Sequence, residues 1–198
     1  MMDLVIATKN RGKLKEFKEM LSDIPLNIIS LLDFPGIEVE ESGSTFEENA
    51  VMKAKKVLEL TGIASLGDDS GLEVAALGGR PGVHTARFAG PGAGDVDNIN
   101  KLLNELKGVP WEKRQARFVC CLCFALPDGR VFVEYGYLKG LITFEPRGTM
   151  GFGYDPVFFV PELGKTLAEA TPEEKNAVSH RARATEKIRK HILQCTRG

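Results

Sequence analysis

The start of the chain carries blocks of apolar positions separated by polar breaks. An apolar run over 4–8 predicts a buried strand, and the amphipathic stretch 13–21 predicts a helix behind it. A second strand is predicted over 27–32, and the alternation of apolar and acidic residues over 37–40 predicts an exposed or edge strand. The chain therefore opens as strand, helix and strand, which is typical of α/β proteins.

A longer helix is predicted next, over 45–61. Ser44 as N-cap and Glu47 as its partner match a capping box, and Gly62 provides a stop. One face carries apolar residues at helical spacing: Phe46, Ala50, Ala54, Val57 and Leu60. Lys53 falls on that face. Its ammonium either reaches water along its flexible stem, the commoner outcome, or meets a fixed negative partner such as a carboxylate or phosphate.

Later elements predict a mixed sheet. A short strand at 63–66 runs into Gly67, Asp68 and Asp69, which places polar residues at a strand end, and glycine-rich loop is expected over 78–94. The remaining predicted elements are a helix at 97–106, a hairpin of strands 116–126 and 130–139, and a last helix within 179–194. Because the hairpin adds antiparallel strands, we expect an α/β fold with a mixed central sheet.

Length and charge limit the classes of function. A chain of 198 residues is long enough for one compact unit with a sizeable core, so a single domain over 1–198 is expected. Lys and Arg total 26 against 27 Asp and Glu, so no bulk positive charge attracts nucleic acid or a membrane surface. No export or membrane-spanning segment is evident, and a cytoplasmic protein is expected.

The four cysteines do not form a pattern typical of a metal or disulfide site. Cys120, Cys121 and Cys123 crowd into one strand-like segment, and Cys195 lies alone near the end. Neighbours on a strand point to opposite faces, and no zinc-site spacing occurs. We therefore interpret the cysteines as small buried hydrophobic residues.

Two pairs of acids follow predicted strands. Glu40 and Glu41 end one strand, and Asp68 and Asp69 end another. Carboxylates brought together at one sheet edge repel unless a cation lies between them, and oxygen ligands without His or Cys favour Mg²⁺ or Mn²⁺. The alternative is that both pairs are ordinary solvated turn residues.

The turn after the first strand is a candidate anion site. Its residues are Thr8, Lys9, Asn10, Arg11, Gly12 and Lys13. A hydroxyl, an amide and several cations stand where the N–H groups of a helix start are free, an arrangement that binds phosphate. The spacing is not that of a P-loop, and basic turns of this kind are common.

Two later segments carry candidate base-binding residues. Phe152 lies between Gly151 and Gly153, which offer no packing partners, so its ring suits a platform under a flat base better than a core position. Near the last helix, His180 and Arg181 can both donate to a carbonyl oxygen. Taken alone, this last segment is more typical of an ordinary solvated helix entry.

Together these segments resemble the inosine triphosphate pyrophosphatase family, also known as dITP/XTP pyrophosphatases. The resemblance covers 6–181 and depends on blocks that occur in order: 8–13, 41–50 with Lys53, 68–72 with 76–82, 146–148 with 151–156, and 175–181. Any one block is weak evidence, but five in order are specific. The departures are Gly67, where alanine commonly precedes the acid pair, and His84 and Phe88, which replace residues that are often tyrosine.

The resemblance implies a fold and an activity. The fold is elongated and two-lobed, with a central mixed sheet flanked by helices, an active-site cleft between the lobes, and usually a homodimer. The activity is Mg²⁺-dependent hydrolysis of ITP, dITP and XTP to the monophosphate and pyrophosphate, which keeps these nucleotides out of DNA and RNA. Residues matching Glu40 and Asp69 bind the metal, and Asp69 also accepts a proton from the attacking water.

The resemblance also implies which residues hold the substrate. Those matching the triphosphate site are Thr8, Lys9, Asn10, Arg11, Gly12, Lys13 and Lys53, with Ser70 in contact with substrate. Those matching the nucleobase and sugar pocket are Phe152, Gly153, Tyr154, Asp155, Lys175, His180 and Arg181. Donors at His180 and Arg181 favour a 6-keto purine, because an adenine amino group leaves buried donors unpaired.

Two other functions stay open. One is a nucleotide sensor that binds its ligand without turnover, and the other is a broader pyrophosphatase that takes pyrimidine or oxidised nucleotides. Pyrophosphate release from ITP separates the first from an enzyme, and relative rates across nucleotides separate the second.

Overall fold

The structure, a computed structural model, describes residues 1–39 and 41–196. The strands are Met2–Ala7 (β1), Leu26–Ser30 (β2), Ser65–Val74 (β3), Gln115–Ala125 (β4), Val131–Ile142 (β5), Phe158–Val160 (β6) and Lys165–Thr166 (β7). The helices are Arg11–Met20 (α1), Phe46–Thr61 (α2), Asp95–Glu105 (α3), Pro172–Val178 (α4) and His180–Thr196 (α5). Across these described ranges, no helix has both the length and the apolar character needed to cross a membrane.

Within the described residues, seven strands form one sheet in the order β2-β1-β3-β4-β5-β6-β7. β1 runs parallel to both β2 and β3, whereas β6 is antiparallel to both β5 and β7. β4 and β5 are neighbours joined by a short turn, as the predicted hairpin requires. The α/β class and the central mixed sheet with flanking helices are therefore confirmed.

Two compact units can be distinguished along the chain. The first comprises residues 1–69, 120–136 and the chain from 181 onward, and the second comprises 70–119 and 137–180. β3, β4 and β5 each contribute residues to both units. Each unit has its own hydrophobic cluster.

Helices cover both faces of the sheet in the first unit. Leu4 of β1 belongs to a cluster with Phe17 of α1 and Ile188 of α5, whereas its neighbour Val5 belongs to a cluster with Val57 of α2. Successive residues of a strand point to opposite faces, which produces this division. α1 and α5 therefore lie on one face and α2 on the other.

Three of the four cysteines are buried, as expected. Cys120, Cys121 and Cys123 are fully buried in β4, Cys195 is partly exposed, and none forms a disulfide. Burial raises the pKa of the Cys121 and Cys123 thiols to about 12. These side chains therefore pack as neutral, small hydrophobic groups.

Two local predictions on the approach to α2 are wrong. Residues 37–39 form no strand, and the buried side chain of Ile37 packs into the cluster of Val5 instead. The N-cap is Thr45 rather than Ser44, since the Thr45 hydroxyl accepts a hydrogen bond from the backbone N–H of Glu48 at 3.1 Å. The Glu48 carboxylate accepts from the backbone N–H of Ser44 at 2.7 Å, so the acid partner is one residue later than predicted.

Candidate active site

The candidate site lies where β1 ends. Ala7, the last residue of β1, pairs with Gly67, and β3 continues beyond this point through Asp68 and Asp69. The predicted end of this strand after residue 66 is wrong, because β3 also has β4 as a neighbour on its other side. In the sheet, β1 lies between β2 and β3, so the strand order reverses at β1. The connecting helices α1 and α2 lie on opposite faces of the sheet. Ligands of α/β proteins bind at such reversals of strand order.

The two aspartates face opposite sides of β3. Asp69 contacts residues of α2, whereas Asp68 accepts hydrogen bonds from Lys13 of α1 at 2.8 Å and from Arg181 of α5 at 2.9 Å. Asp68 and Asp69, whose shared role at a cation the sequence left open, therefore lie on different faces of the strand. The Asp68 carboxylate is already bound by two cationic side chains.

Lys53 lies at the centre of the α2 contacts. Its Nζ is 2.6 Å from Oε1 of Glu41 and 3.1 Å from Oδ1 of Asp69, and it donates to the backbone oxygen of Asp68 at 2.9 Å. Only 7% of Lys53 is exposed. A fixed negative partner, rather than escape of the ammonium to water, therefore accounts for this lysine on a buried helical face.

Burial and charge act in opposite directions on this pair. Burial raises the pKa of Asp69 above its ordinary value, and the charge of Lys53 offsets only part of that effect. Burial by itself would lower the pKa of Lys53, but the charges of Asp69 and Glu41 raise it overall. Lys53 therefore remains an ammonium ion, and Asp69 is a more basic carboxylate than usual.

Asn49 is a site residue that the sequence did not single out. It is 1% exposed, its Nδ2 donates to Oδ2 of Asp69 at 3.1 Å, and its Oδ1 accepts from the backbone N–H of Gly43 at 2.8 Å. Asn49 therefore ties the segment containing Glu41 to Asp69. Its position four residues before Lys53, on the same face of α2, was the available signal.

The predicted anion turn is gathered at the end of β1. Asn10 is the N-cap of α1, and its Oδ1 accepts from the backbone N–H of Lys13 at 3.1 Å. The Asn10 N–H in turn donates to the Thr8 hydroxyl at 3.2 Å. Lys9 and Arg11 are exposed. Gly12 lies in the first turn of α1, so all six residues of this segment are at one helix start.

The second unit contains a polar cluster around Asp155. Its Oδ2 accepts from Nζ of Lys175 at 2.7 Å and from the backbone N–H of Phe152 at 3.0 Å, and both Asp155 and Lys175 are buried. The same Nζ lies 4.5 Å from the centre of the half-buried Phe152 ring. The acid, the lysine and the aromatic ring are therefore held together in one cluster.

The other predicted base-pocket residues have varied surroundings. Gly153 has a left-handed φ of 61°, which favours glycine. Tyr154 is a core residue at 2% exposure, and its hydroxyl donates to the backbone oxygen of Thr85 at 3.0 Å. His180 is buried with its ring stacked on Phe118 at 4.8 Å between centres. Lys175 lies on the short helix α4, which precedes the last helix.

Arg181 belongs to the first unit and contacts carboxylates there. Its Nε donates to Asp68, its Nη1 is paired with Glu16, and the residue is 2% exposed. Burial by itself would lower the pKa of the guanidinium, but the charges of Asp68 and Glu16 raise it above the ordinary value. Two nitrogens of the Arg181 guanidinium, Nε and Nη1, thus lie against acids of the fold.

Comparison with known proteins shows the family of this chain. A model of the Ham1 family matches residues 4–191. The chain belongs to the Ham1 family. Two relatives named dITP/XTP pyrophosphatase confirm the family resemblance that the sequence motifs indicated. The dITP/XTP pyrophosphatase of Geobacter sulfurreducens is 51% identical over 190 residues, which is 96% of either chain. That of Geobacillus kaustophilus is 53% identical over 189 residues, 95% of this chain and 93% of the relative.

Solved structures of Ham1 proteins share the fold. The HAM1 protein of Coxiella burnetii superposes with a TM-score of 0.89 at 40% identity, covering 98% of this chain and 100% of the other. The Ham1 protein of Staphylococcus aureus superposes with a TM-score of 0.87 at 40% identity, covering 97% and 98%. The fold is therefore that of the Ham1 family along nearly the whole chain.

The donor set of this Ham1 chain fits a magnesium–nucleotide complex. Glu41 and Asp69 both reach the Lys53 ammonium, and Mg²⁺ is commonly held by one or two carboxylates together with substrate phosphates. No group of three or more candidate ligands occurs among residues 1–39 and 41–196. Glu40, a predicted metal ligand, lies outside the described residues. Ser70, a predicted substrate contact, follows Asp69 directly in β3 and is partly exposed.

Gly67 gives a testable consequence for this Ham1 chain. A Cβ at this position would overlap the backbone oxygen of Ala50 and lie 2.9 Å from the backbone nitrogen of Ala54, so α2 approaches β3 through the missing side chain. We expect Gly67→Ala to move α2 and to lower the free energy of unfolding by about 1–3 kcal/mol. Because Asn49 and Lys53 move with α2, kcat should fall as well. Urea unfolding and steady-state rates check both effects, and a fully stable, fully active variant would show that α2 has room to adjust.

Proposed function

We propose that this protein hydrolyses the non-standard purine nucleoside triphosphates dITP, ITP and XTP to the monophosphate and pyrophosphate. Relatives named dITP/XTP pyrophosphatase, about half identical over nearly the full chain, support this substrate class. The observation that carries the proposal is the buried Asp69 carboxylate, held by Lys53 and Asn49 at the end of β1. Removal of these nucleotides from the pool is the biological consequence.

The first unit binds the triphosphate in this proposal. The start of α1 offers free backbone N–H groups and the side chains of Thr8, Asn10 and Lys13, while Lys9 and Arg11 add exposed positive charge. Lys53 contributes a second fixed ammonium from α2. These groups compensate the charge of a polyphosphate locally, in a chain whose overall net charge is only −1.

Asp69 acts as the proton acceptor. A water oxygen attacks the α-phosphorus and forms the new P–O bond, while the bond from that phosphorus to the bridging oxygen breaks and its electron pair leaves with pyrophosphate. The water proton passes to the Asp69 carboxylate, whose basicity burial increases. Lys53 and Asn49 fix the orientation of that carboxylate before substrate arrives.

The proposed cofactor is Mg²⁺, with Mn²⁺ as a substitute. When bound, it neutralises phosphate charge and polarises the phosphoryl oxygens. Asp69 and Glu40 are the proposed ligands, and the position of Glu41 beside Lys53 makes it a third candidate. Chelation with EDTA is expected to abolish turnover, and restoration by Mg²⁺ measures the requirement.

The second unit provides the proposed base-binding residues. The Phe152 ring is held by the Lys175–Asp155 pair and serves as a platform for the purine, while His180 donates to the 6-keto oxygen. An adenine amino group cannot accept that hydrogen bond, so ATP is disfavoured. Gly153, Tyr154 and Ser70 are the remaining proposed substrate-binding residues. Of these, Tyr154 is buried in the core, where it supports the segment that carries Phe152 and Gly153.

Phe152→Ala tests the platform. We expect binding to weaken by roughly 1–3 kcal/mol, which raises KM about 5- to 150-fold, because base stacking contributes that much. Phe152→Tyr retains a ring and should keep most of the affinity. An unchanged KM in the alanine variant would show that the ring serves packing alone.

The panel of nucleotides tests the proposed function itself. We expect kcat/KM for ITP, dITP and XTP to exceed that for ATP, GTP and dUTP, with pyrophosphate as a product. Binding without pyrophosphate release would indicate a nucleotide sensor, and equal values across all nucleotides would indicate a broader pyrophosphatase. The proposal includes a homodimer, which light scattering of the purified protein checks.

A further inference from the structure

The loop that carries Phe152 is held by carboxylates from two different elements of the second unit. Oδ2 of Asp155, within the loop, accepts from the backbone N–H of Phe152 at 3.0 Å. Oδ2 of Asp95, the first residue of α3, accepts from the backbone N–H of Gly153 at 2.7 Å. Two successive N–H groups, one on each side of the Phe152 Cα atom, are therefore bound by acids from separate parts of the chain.

Phe152 needs such a restraint because it has a glycine on each side. Both glycines have a left-handed φ, 79° for Gly151 and 61° for Gly153. Glycine has more conformational freedom than other residues, so an unrestrained segment of this composition would leave the ring with many orientations. Asp155 belongs to the same loop and moves with it, whereas Asp95 ties Gly153 to a separate helix.

The helix that carries Asp95 is itself firmly held. Leu102 of α3 is fully buried in the hydrophobic cluster of the second unit. Asn98, also buried, accepts from the backbone N–H of Ala89 at 2.7 Å and donates to the backbone oxygen of Ala86 at 3.1 Å, which fixes the chain that leads into the helix. The Asp95 side chain is exposed, so it extends from a packed helix to the loop.

We propose that Asp95 is a positioning residue for the nucleobase, acting through Gly153 on the Phe152 ring. This inference rests on the proposed function, because it assigns Phe152 to a purine. Asp95 fixes the backbone on the carboxyl side of Phe152, while Asp155 fixes the N–H on the amino side and Lys175 lies over the ring. Asp95 therefore contributes to affinity for the base and not to the chemistry at phosphorus.

The energetic benefit is preorganisation. A ring that is oriented before the purine binds loses little freedom on binding, which removes part of the entropy cost. The contact that supplies this benefit needs an oxygen acceptor at position 95. An asparagine oxygen can accept from the same N–H, although a neutral acceptor binds it less strongly than a carboxylate, whereas alanine cannot accept at all.

Separate measurements on the base and on the phosphates test this assignment. The variants are Asp95→Ala and Asp95→Asn, alone and combined with Phe152→Ala, and Asp97→Ala is the matched control. Asp97 lies in the same first turn of α3, but its Oδ2 accepts from the backbone N–H of Gly94 at 3.0 Å. Both acids are exposed, so neither substitution removes a core contact. Steady-state kinetics give KM and kcat for ITP, and calorimetry measures binding of inorganic triphosphate, which has no base, with Mg²⁺ present.

We expect Asp95→Ala to raise KM for ITP by roughly 3- to 10-fold, about the effect of losing one hydrogen bond. Its kcat and its affinity for inorganic triphosphate should stay at the wild-type values. Asp95→Asn should recover most of the lost affinity, and Asp97→Ala should leave KM unchanged. In the Phe152→Ala background, Asp95→Ala should add little, because no ring is left to position.

Several results would overturn the inference. An unchanged KM in Asp95→Ala would show that the contact does not affect the base, and an equal rise in Asp97→Ala would show that any disturbance of α3 has the same effect. An Asp95→Asn variant as weak as Asp95→Ala, or a full additive effect in the Phe152→Ala background, also contradicts it. Failure of the wild-type protein to hydrolyse ITP overturns the proposed function instead. ITP is then a stable ligand, and its calorimetric titration against the same variants still tests Asp95.

Discussion

Asp69→Asn is expected to lower kcat for ITP by roughly 10³- to 10⁴-fold, about the contribution of a general base in a preorganised site. The amide has the size of the carboxylate but cannot accept the water proton, and it binds Mg²⁺ more weakly. Asn49 and Lys53 still surround the position, so the fold and most of the nucleotide affinity should remain. Steady-state kinetics with ITP and calorimetry with the same nucleotide measure the two quantities separately.

The matched control for this change is Asp128→Asn. Asp128 is an exposed acid in the turn between β4 and β5, where it pairs with Arg130 at 2.7 Å. The same exchange of acid for amide should leave kcat at the wild-type value there. Normal ITP hydrolysis by Asp69→Asn would remove this residue from the chemistry.

Lys53→Met is expected to have the second largest effect. It removes the ammonium that joins Glu41, Asp69 and the backbone oxygen of Asp68, and leaves two carboxylates close together without compensation. Breaking a buried ion pair in this way costs about 3–5 kcal/mol of unfolding free energy. Loss of a charge that stabilises the transition state should also lower kcat/KM by roughly 10²- to 10³-fold.

Lys56→Met provides the comparison on the same helix. Lys56 is exposed and pairs with Glu59 at 3.1 Å, so its removal should change stability and rate little. Lys53→Arg keeps the positive charge but changes the shape of the side chain. Its free energy of unfolding should lie between that of Lys53→Met and that of the wild-type protein. If Lys53→Met matches Lys56→Met in both urea unfolding and kcat/KM, the ammonium at position 53 has no role in holding Asp69.

Much of the first unit could be predicted from local patterns alone. The apolar stripe on α2 identified Lys53 as a charge on a buried face, because helical spacing fixes which side chains share a surface. The helix behind β1 followed from the amphipathic segment 13–21, although α1 begins at Arg11, two residues before the predicted start. These features depend on residues close together in sequence, which is why the pattern was sufficient.

Contacts between distant residues could not be predicted in this way. Arg181 meets Asp68 across 113 positions of sequence, and nothing local distinguishes an arginine that contacts acids from one that contacts a ligand. The alternation along β3 separates Asp68 from Asp69, but the sequence predicted the strand to end before them. That error hid the separation, since residues in a loop have no fixed face.

The two aspartates illustrate how the fold produces the site. A strand that continues past its neighbour β1 carries adjacent acids to opposite faces, where α1 and α5 supply partners for one and α2 supplies partners for the other. One acid is then neutralised and holds a lysine, while the other stays basic beside an ammonium. A pair of identical residues thereby acquires two roles from the geometry of one strand.

The central claim is that the site directs water to the α-phosphorus of a bound nucleotide. Hydrolysis of ITP in water enriched in oxygen-18 tests it most directly, with mass spectrometry of both products. The account predicts the label in the nucleoside monophosphate, unlabelled pyrophosphate and no orthophosphate. Label in pyrophosphate or orthophosphate would place the attack on another phosphorus and contradict the account.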